Sequence, residues 1–138
     1  MRTRSFLGLV FASAAGCAAP RTDHVPAAGA LGPYSAAVAR GDLVYLSGKI
    51  GKRGGTFAEE VKTAIDAVES ELHGLGLGLG DVLSVNVFVT DMALYGELNT
   101  IYAERFPQPY PARTTVGVGS LPGGARVEIQ AVAARAKR

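Results

Sequence analysis

The chain has 138 residues, with Lys+Arg 14 against Asp+Glu 12 and a formal net charge of +2; that length holds one domain with a sizeable core and excludes a second. Much of the basic excess sits near the two ends, at Arg2, Arg4, Arg21, Arg135, Lys137 and Arg138, so the chain offers no basic stripe interleaved with aromatics for a nucleic-acid partner. Cys17 is the only cysteine, which excludes an intrachain disulfide and a cysteine-based metal site.

Residues 1–17 open with Arg2 and Arg4, run uncharged from Ser5 to Gly16 and end on Cys17. The run is shorter than the ~20 apolar residues a spanning helix needs, and the layout is that of an export signal. Ala14-Ala15-Gly16-Cys17 resembles the bacterial lipobox, in which cleavage leaves a cysteine that carries lipid, with Ala14 where a bulky aliphatic residue is usual. The expected location is outside the cytoplasm, periplasmic or held to the membrane by lipid on Cys17, with ordinary cleavage as the alternative. Residues 18–30 are Ala, Pro, Gly and polar without periodicity, and a flexible linker is expected there. The domain is expected over 31–138.

Ser35 to Ser47 reads as a hairpin in which Ala-Val-Ala and Leu-Val-Tyr-Leu flank the turn composition Arg40-Gly41-Asp42. Thr56 to Leu72 is predicted as a helix, with Phe57, Val61, Ala64, Val68 and Leu72 on one stripe. Thr56 and Glu59 fit a capping box at its start, and Gly74 is expected to stop it. The run Leu75-Gly76-Leu77-Gly78-Leu79-Gly80 lies between a helix and a strand, the reverse of a dinucleotide loop, and reads as a flexible connection. Val82 to Thr90 alternates as a half-buried strand, and Met92 to Phe106 is a second helix ended by Pro107. Two more strands, Arg113 to Val118 and Arg126 to Ala133, flank the turn Pro122-Gly123-Gly124. The order β-β-α-β-α-β-β implies an α+β domain, a mixed sheet with two helices on one face. Thr115, Gly117 and Val132 are expected on the other face, covered in a homo-oligomer.

The two histidines, His24 and His73, form no zinc site with a neighbouring cysteine, and neither gives a serine nucleophile a base. No metal and no cofactor are expected. What remains is Pro111-Ala112-Arg113-Thr114-Thr115-Val116, then Leu121, then Val127-Glu128-Ile129. This segment resembles the signature of the Rid (RidA/YjgF) family, the reactive intermediate deaminases. Gly32-Pro33-Tyr34-Ser35, Leu46-Ser47-Gly48, Val87-Phe88-Val89-Thr90-Asp91 and Asn99-Thr100-Ile101-Tyr102 also stand in that family's order.

The resemblance implies a chorismate-mutase-like fold, a homotrimer with pockets at the subunit boundaries, and hydrolysis of small 2-imino or enamino acids, such as 2-aminoacrylate and 2-iminopropionate, to 2-keto acids and ammonia. No cofactor is implied. It carries the catalytic roles onto Arg113, as carboxylate anchor, and Glu128, which orients and deprotonates water; Tyr34, Ser47, Gly48, Asn99 and Thr115 match substrate-pocket positions. The residue types suit that chemistry, since a guanidinium fork grips a planar carboxylate through two parallel bonds and a carboxylate can shuttle a proton. Lys49 departs from the family's usual Gln and is expected to add positive charge at the pocket rim. Two other readings stand beside this one, a non-catalytic module binding small carboxylic acids and a chaperone-like trimeric module. A ribonuclease role has no support in these residues, which include no His pair for acid–base work and no basic groove.

Overall fold

A computed structural model of the chain describes residues 19–136. The export segment 1–17 and the assignment of lipid to Cys17 lie outside the described residues. The elements are β1 (Thr22–Pro26), β2 (Ser35–Arg40), β3 (Leu43–Leu46), β4 (Lys49–Ile50), α1 (Phe57–Gly74), β5 (Val82–Val89), α2 (Tyr95–Arg105), β6 (Ala112–Gly117) and β7 (Val127–Ala134), with short 3-10 turns between some of them.

The strands form one sheet in the order β1-β2-β3-β7-β5-β6, and β4 pairs with β7 beyond β3. Only the β5–β6 pair is parallel, as it must be when α2 and its flanking loops return the chain to the same end of the sheet. β3 and β4 both run along β7, so Ser47-Gly48 is a break within what would otherwise be one strand. The sheet is mixed, as expected.

Thr22–Pro26, expected to lie in an unstructured linker, instead forms the edge strand β1, antiparallel to β2. Its side chains are mostly exposed, so no alternating apolar signal exists to read; the strand is held by the ladder to the β2 backbone. The folded unit therefore begins before Leu31.

α1 starts where its sequence says. Thr56 Oγ1 accepts from the Glu59 amide at 3.2 Å while Glu59 Oε2 accepts from the Thr56 amide at 2.7 Å, a complete capping box. The stop is Gly76, not Gly74: the helix runs through Gly74, and the Gly76 and Leu77 amides donate back to the His73 and Leu72 carbonyls. That double bond pattern needs a left-handed residue after the cap, which Gly76 supplies at φ 73. The Leu-Gly run is less loose than it reads, because Leu77 and Leu79 are buried in the core.

The core lies between the helices and one sheet face, with Val61, Ala64, Ile65, Val68 and Leu72 of α1 against Val85, Val87 and Val89 of β5 and Val127, Ile129 and Ala131 of β7. In-register partners settle which side chains share that face. Arg113 lies opposite Val85, Thr115 opposite Val87 and Gly117 opposite Val89, so all three project toward the helices. Thr115 and Gly117 were expected on the open face. Val132 does lie there, opposite Ser84 and Tyr45, together with Glu128 and Phe88.

Candidate functional site

The family-like positions fall into two groups. Arg113, Asn99 and Thr115 line a cleft of ≈ 470 Å³ between β6 and α2, with Met92, Tyr95, Tyr102 and Tyr110 as further walls. Tyr34, Ser47, Gly48 and Glu128 line a smaller one of ≈ 270 Å³, closed by Leu31, Ile50 and Pro122. Arg113 is in register with Val85 and Glu128 with Phe88; an odd offset along β5 sends the two side chains to opposite faces. Within one chain the cation and the carboxylate do not meet.

The guanidinium of Arg113 is held on one side only. Its Nη2 donates to Asn99 Oδ1 at 2.6 Å and to the Tyr95 hydroxyl at 3.3 Å. Its Cζ lies 4.5 Å from the centroid of the Tyr102 ring and 5.7 Å from that of Tyr95, contacts that suit a cation on aromatic faces. Nε and Nη1 make no side-chain bond among the described residues, and Arg113 enters no ion pair there. An arginine aimed in this way offers its free edge to a planar anion.

Tyr102 backs this platform. Its ring stacks on buried Phe106 at 4.1 Å, nearly parallel. Burial pushes its phenol up to about 12, against the opposing influence of Arg113, so it stays neutral and is no base near pH 7. Its hydroxyl and Thr115 Oγ1 are buried without partners. Tyr95 and Tyr110 were not singled out in the sequence, and Tyr102 only as the end of the segment Asn99-Thr100-Ile101-Tyr102, though 95, 99 and 102 follow the four-then-three step of one helix face, a readable signal once Asn99 is suspected.

Glu128 stands in the smaller cleft because Gly48 leaves it room: a Cβ on Gly48 would overlap the Glu128 carboxylate. Ser47 donates its hydroxyl to the Ser35 carbonyl at 2.6 Å, fixing the break beside Gly48. The Tyr34 hydroxyl accepts from the Leu31 amide at 3.4 Å, and the ring is about half exposed. Glu128, too, has no ion-pair partner among the described residues. A Gly48→Ala variant is expected to fold but to displace Glu128, lowering any Glu128-dependent rate by roughly 10²-fold, the scale of a misplaced acid–base group; thermal unfolding beside the rate checks that the loss is not one of folding.

Lys49 lines a cleft that shares Leu31, Tyr34, Gly48 and Ile50 with this one, but its charge is paired. It is in register with Ile129, hence on the helix side, where its ammonium lies 2.7 Å from the Glu71 carboxylate of α1. The side chain is neutralised there.

Comparison with known proteins points one way. The Endoribonuclease L-PSP family model matches residues 25–135. A 2-iminobutanoate/2-iminopropanoate deaminase of Dermatophagoides farinae is 38% identical over 109 residues, covering 74% of this chain and 85% of the relative. The human protein of the same name is 37% identical over 114 residues, covering 78% and 83%. Among solved structures, RidA from an Antarctic Psychrobacter superposes with a TM-score of 0.75 at 32% identity, covering 86% of this chain and 99% of that one.

Proposed function

The chain belongs to the Endoribonuclease L-PSP family, the YjgF/RidA family, and from that premise we propose that it hydrolyses small 2-imino acids to 2-keto acids and ammonia at a site built from two chains. One observation carries the composite site: Arg113 and Glu128, each without an ion-pair partner among the described residues, sit in separate clefts on opposite faces of one sheet. A second copy that lays its Glu128 cleft over this chain's Arg113 cleft joins them. The open sheet face supports assembly. It presents Tyr45, Val116 and Leu43 at 46%, 42% and 37% exposure, with Phe88 and Val132 between them, an apolar surface of the kind that oligomers cover. We assign a homotrimer.

In this reading Nε and Nη1 of Arg113 grip the substrate carboxylate, while Asn99 and Tyr95 hold the other end of the guanidinium. Water attacks the C=N carbon. As the C–O bond forms, the C=N π pair moves to nitrogen and Glu128 of the neighbouring chain takes the water's proton. Glu128 returns that proton to nitrogen, which gives the carbinolamine; it then takes the proton of the new hydroxyl and passes it to the amine nitrogen as the C–N bond breaks and the C=O forms, so that ammonia leaves. The test is turnover of 2-iminopropionate generated in situ, followed by pyruvate appearance: acceleration over buffer supports the reading, and a buffer rate from folded, oligomeric protein rejects it.

We place this activity outside the cytoplasm on the strength of the Arg2/Arg4 and Ser5–Gly16 layout. The mass of the membrane-extracted protein tests the lipid on Cys17; an unmodified N-terminus at another residue would remove it.

A further inference from the structure

We propose that Arg53 is a specificity-determining residue, a second anion anchor at the edge of the Glu128 cleft that favours 2-imino acids carrying a distal carboxylate. The inference rests on the deaminase reading of that cleft and deepens it.

Arg53 lies in the loop that follows β4, and that loop is tied down. The Lys52 amide donates to Thr63 Oγ1 of α1 at 2.7 Å, which fixes the origin of the next side chain. The guanidinium of Arg53 rests against the turn Gly123-Gly124. A Cβ built on Gly124 would lie 3.4 Å from Arg53 Nη1, and one on Gly123 would lie 4.0 Å from Arg53 Cζ and 3.8 Å from Ile50 Cδ1. Arg53 and Ile50 therefore flank the same turn. Ile50 and Pro122, the residue that precedes this turn, both line the Glu128 cleft, while Arg53 itself lines a separate cleft with Glu59 and Thr63, so it reaches the Glu128 cleft only at the turn.

Charge makes the placement informative. An exposed arginine is ordinarily matched by a nearby carboxylate or simply solvated. Arg53 has no carboxylate within 4.0 Å and no side-chain hydrogen bond among the described residues, whereas Lys49 is spent on Glu71. The cleft itself carries a single charged side chain, Glu128. Arg113 accounts for one carboxylate, the one beside the reacting carbon. A second free cation at the rim suits a substrate with a second carboxylate, while a monocarboxylic imino acid leaves Arg53 unused.

The experiment compares 2-iminoglutarate with 2-iminopropionate, each generated in situ by an amino-acid oxidase, for the full chain and for Arg53→Gln. The expected result is a fall of about 5- to 20-fold in kcat/KM for 2-iminoglutarate, mainly through KM, with 2-iminopropionate within about twofold. An equal effect on both substrates, or none on either, overturns the inference. Calorimetric binding of 2-oxoglutarate and pyruvate separates this from failure of the deaminase reading: if neither imine is turned over, selective weakening of 2-oxoglutarate by Arg53→Gln still supports the anchor, and its absence rejects it.

Discussion

Arg113→Ala is expected to lower kcat/KM for 2-iminopropionate by about 10²- to 10⁴-fold, the range set by two charge-assisted hydrogen bonds of roughly 1.5–3 kcal/mol each. The loss should be nearly pure function. Arg113 stands on the wall of an open cleft, and its fixed partners, Asn99 and Tyr95, are themselves on the surface of α2. The aromatic platform of Tyr102 on Phe106 stays in place without it. Arg113→Lys should restore little, because an ammonium cannot bond Asn99 and present a flat two-donor edge at the same time. Steady-state rates beside thermal unfolding check this. A variant that keeps wild-type rates would contradict the anchor role; one that loses rate only because it unfolds would indicate a structural arginine instead.

Glu60→Ala is expected to destabilise the fold by about 2–4 kcal/mol, the largest stability effect we foresee from a polar side chain. Glu60 is the buried charge of this core, 1% exposed on α1. Its Oε1 accepts from the Arg126 amide at 2.6 Å and its Oε2 from Arg126 Nε at 2.7 Å. Arg126 in turn donates from Nη2 to the Gly55 carbonyl at 2.9 Å and accepts at its own carbonyl from the Thr90 amide at 3.0 Å. The carboxylate thus clamps the residue just before β7, two positions before Glu128. Alanine leaves a backbone N–H and a half-buried guanidinium without their acceptor. Glu60→Gln keeps one acceptor oxygen and should lose less. Denaturant unfolding at fixed protein concentration measures this, since assembly stabilises folded chains by mass action; an unchanged midpoint for Glu60→Ala would contradict the clamp.

The sequence made legible what depends on local chemistry. The Thr56/Glu59 capping box, the Arg40-Gly41-Asp42 hairpin turn and the alternation of Val85, Val87 and Val89 are each decided within a few residues, and each stands where it was read. Non-local matters were less accessible. β1 exists because the β2 backbone offers a ladder, not because Thr22–Pro26 carries a pattern. Glu60 interrupts an otherwise apolar helix stripe, and only its partner Arg126, distant in sequence, explains it. Lys49 was read as free charge at the pocket rim, yet its ammonium is paired with Glu71, because the break at Ser47-Gly48 sets which face each following residue takes.

The same limit governs the site. Arg113 and Glu128 were legible as candidates from residue type and motif, yet their faces follow from the register of β6, β5 and β7, and a one-residue slip in a sheet reverses a side chain's face. Pairing of distant strands carries that information.

The most direct test of the central claim, a site shared between chains, is complementation. Arg113→Ala and Glu128→Gln proteins are unfolded together in equal amounts, refolded and assayed on 2-iminopropionate. Each variant alone should be close to the buffer rate. In a closed ring assembled at random, about a quarter of the subunit junctions pair an intact arginine with an intact glutamate, so the mixture should regain about a quarter of the wild-type rate. No regain from a mixture shown by mass to contain mixed oligomers would place both groups in one chain's site and contradict the account.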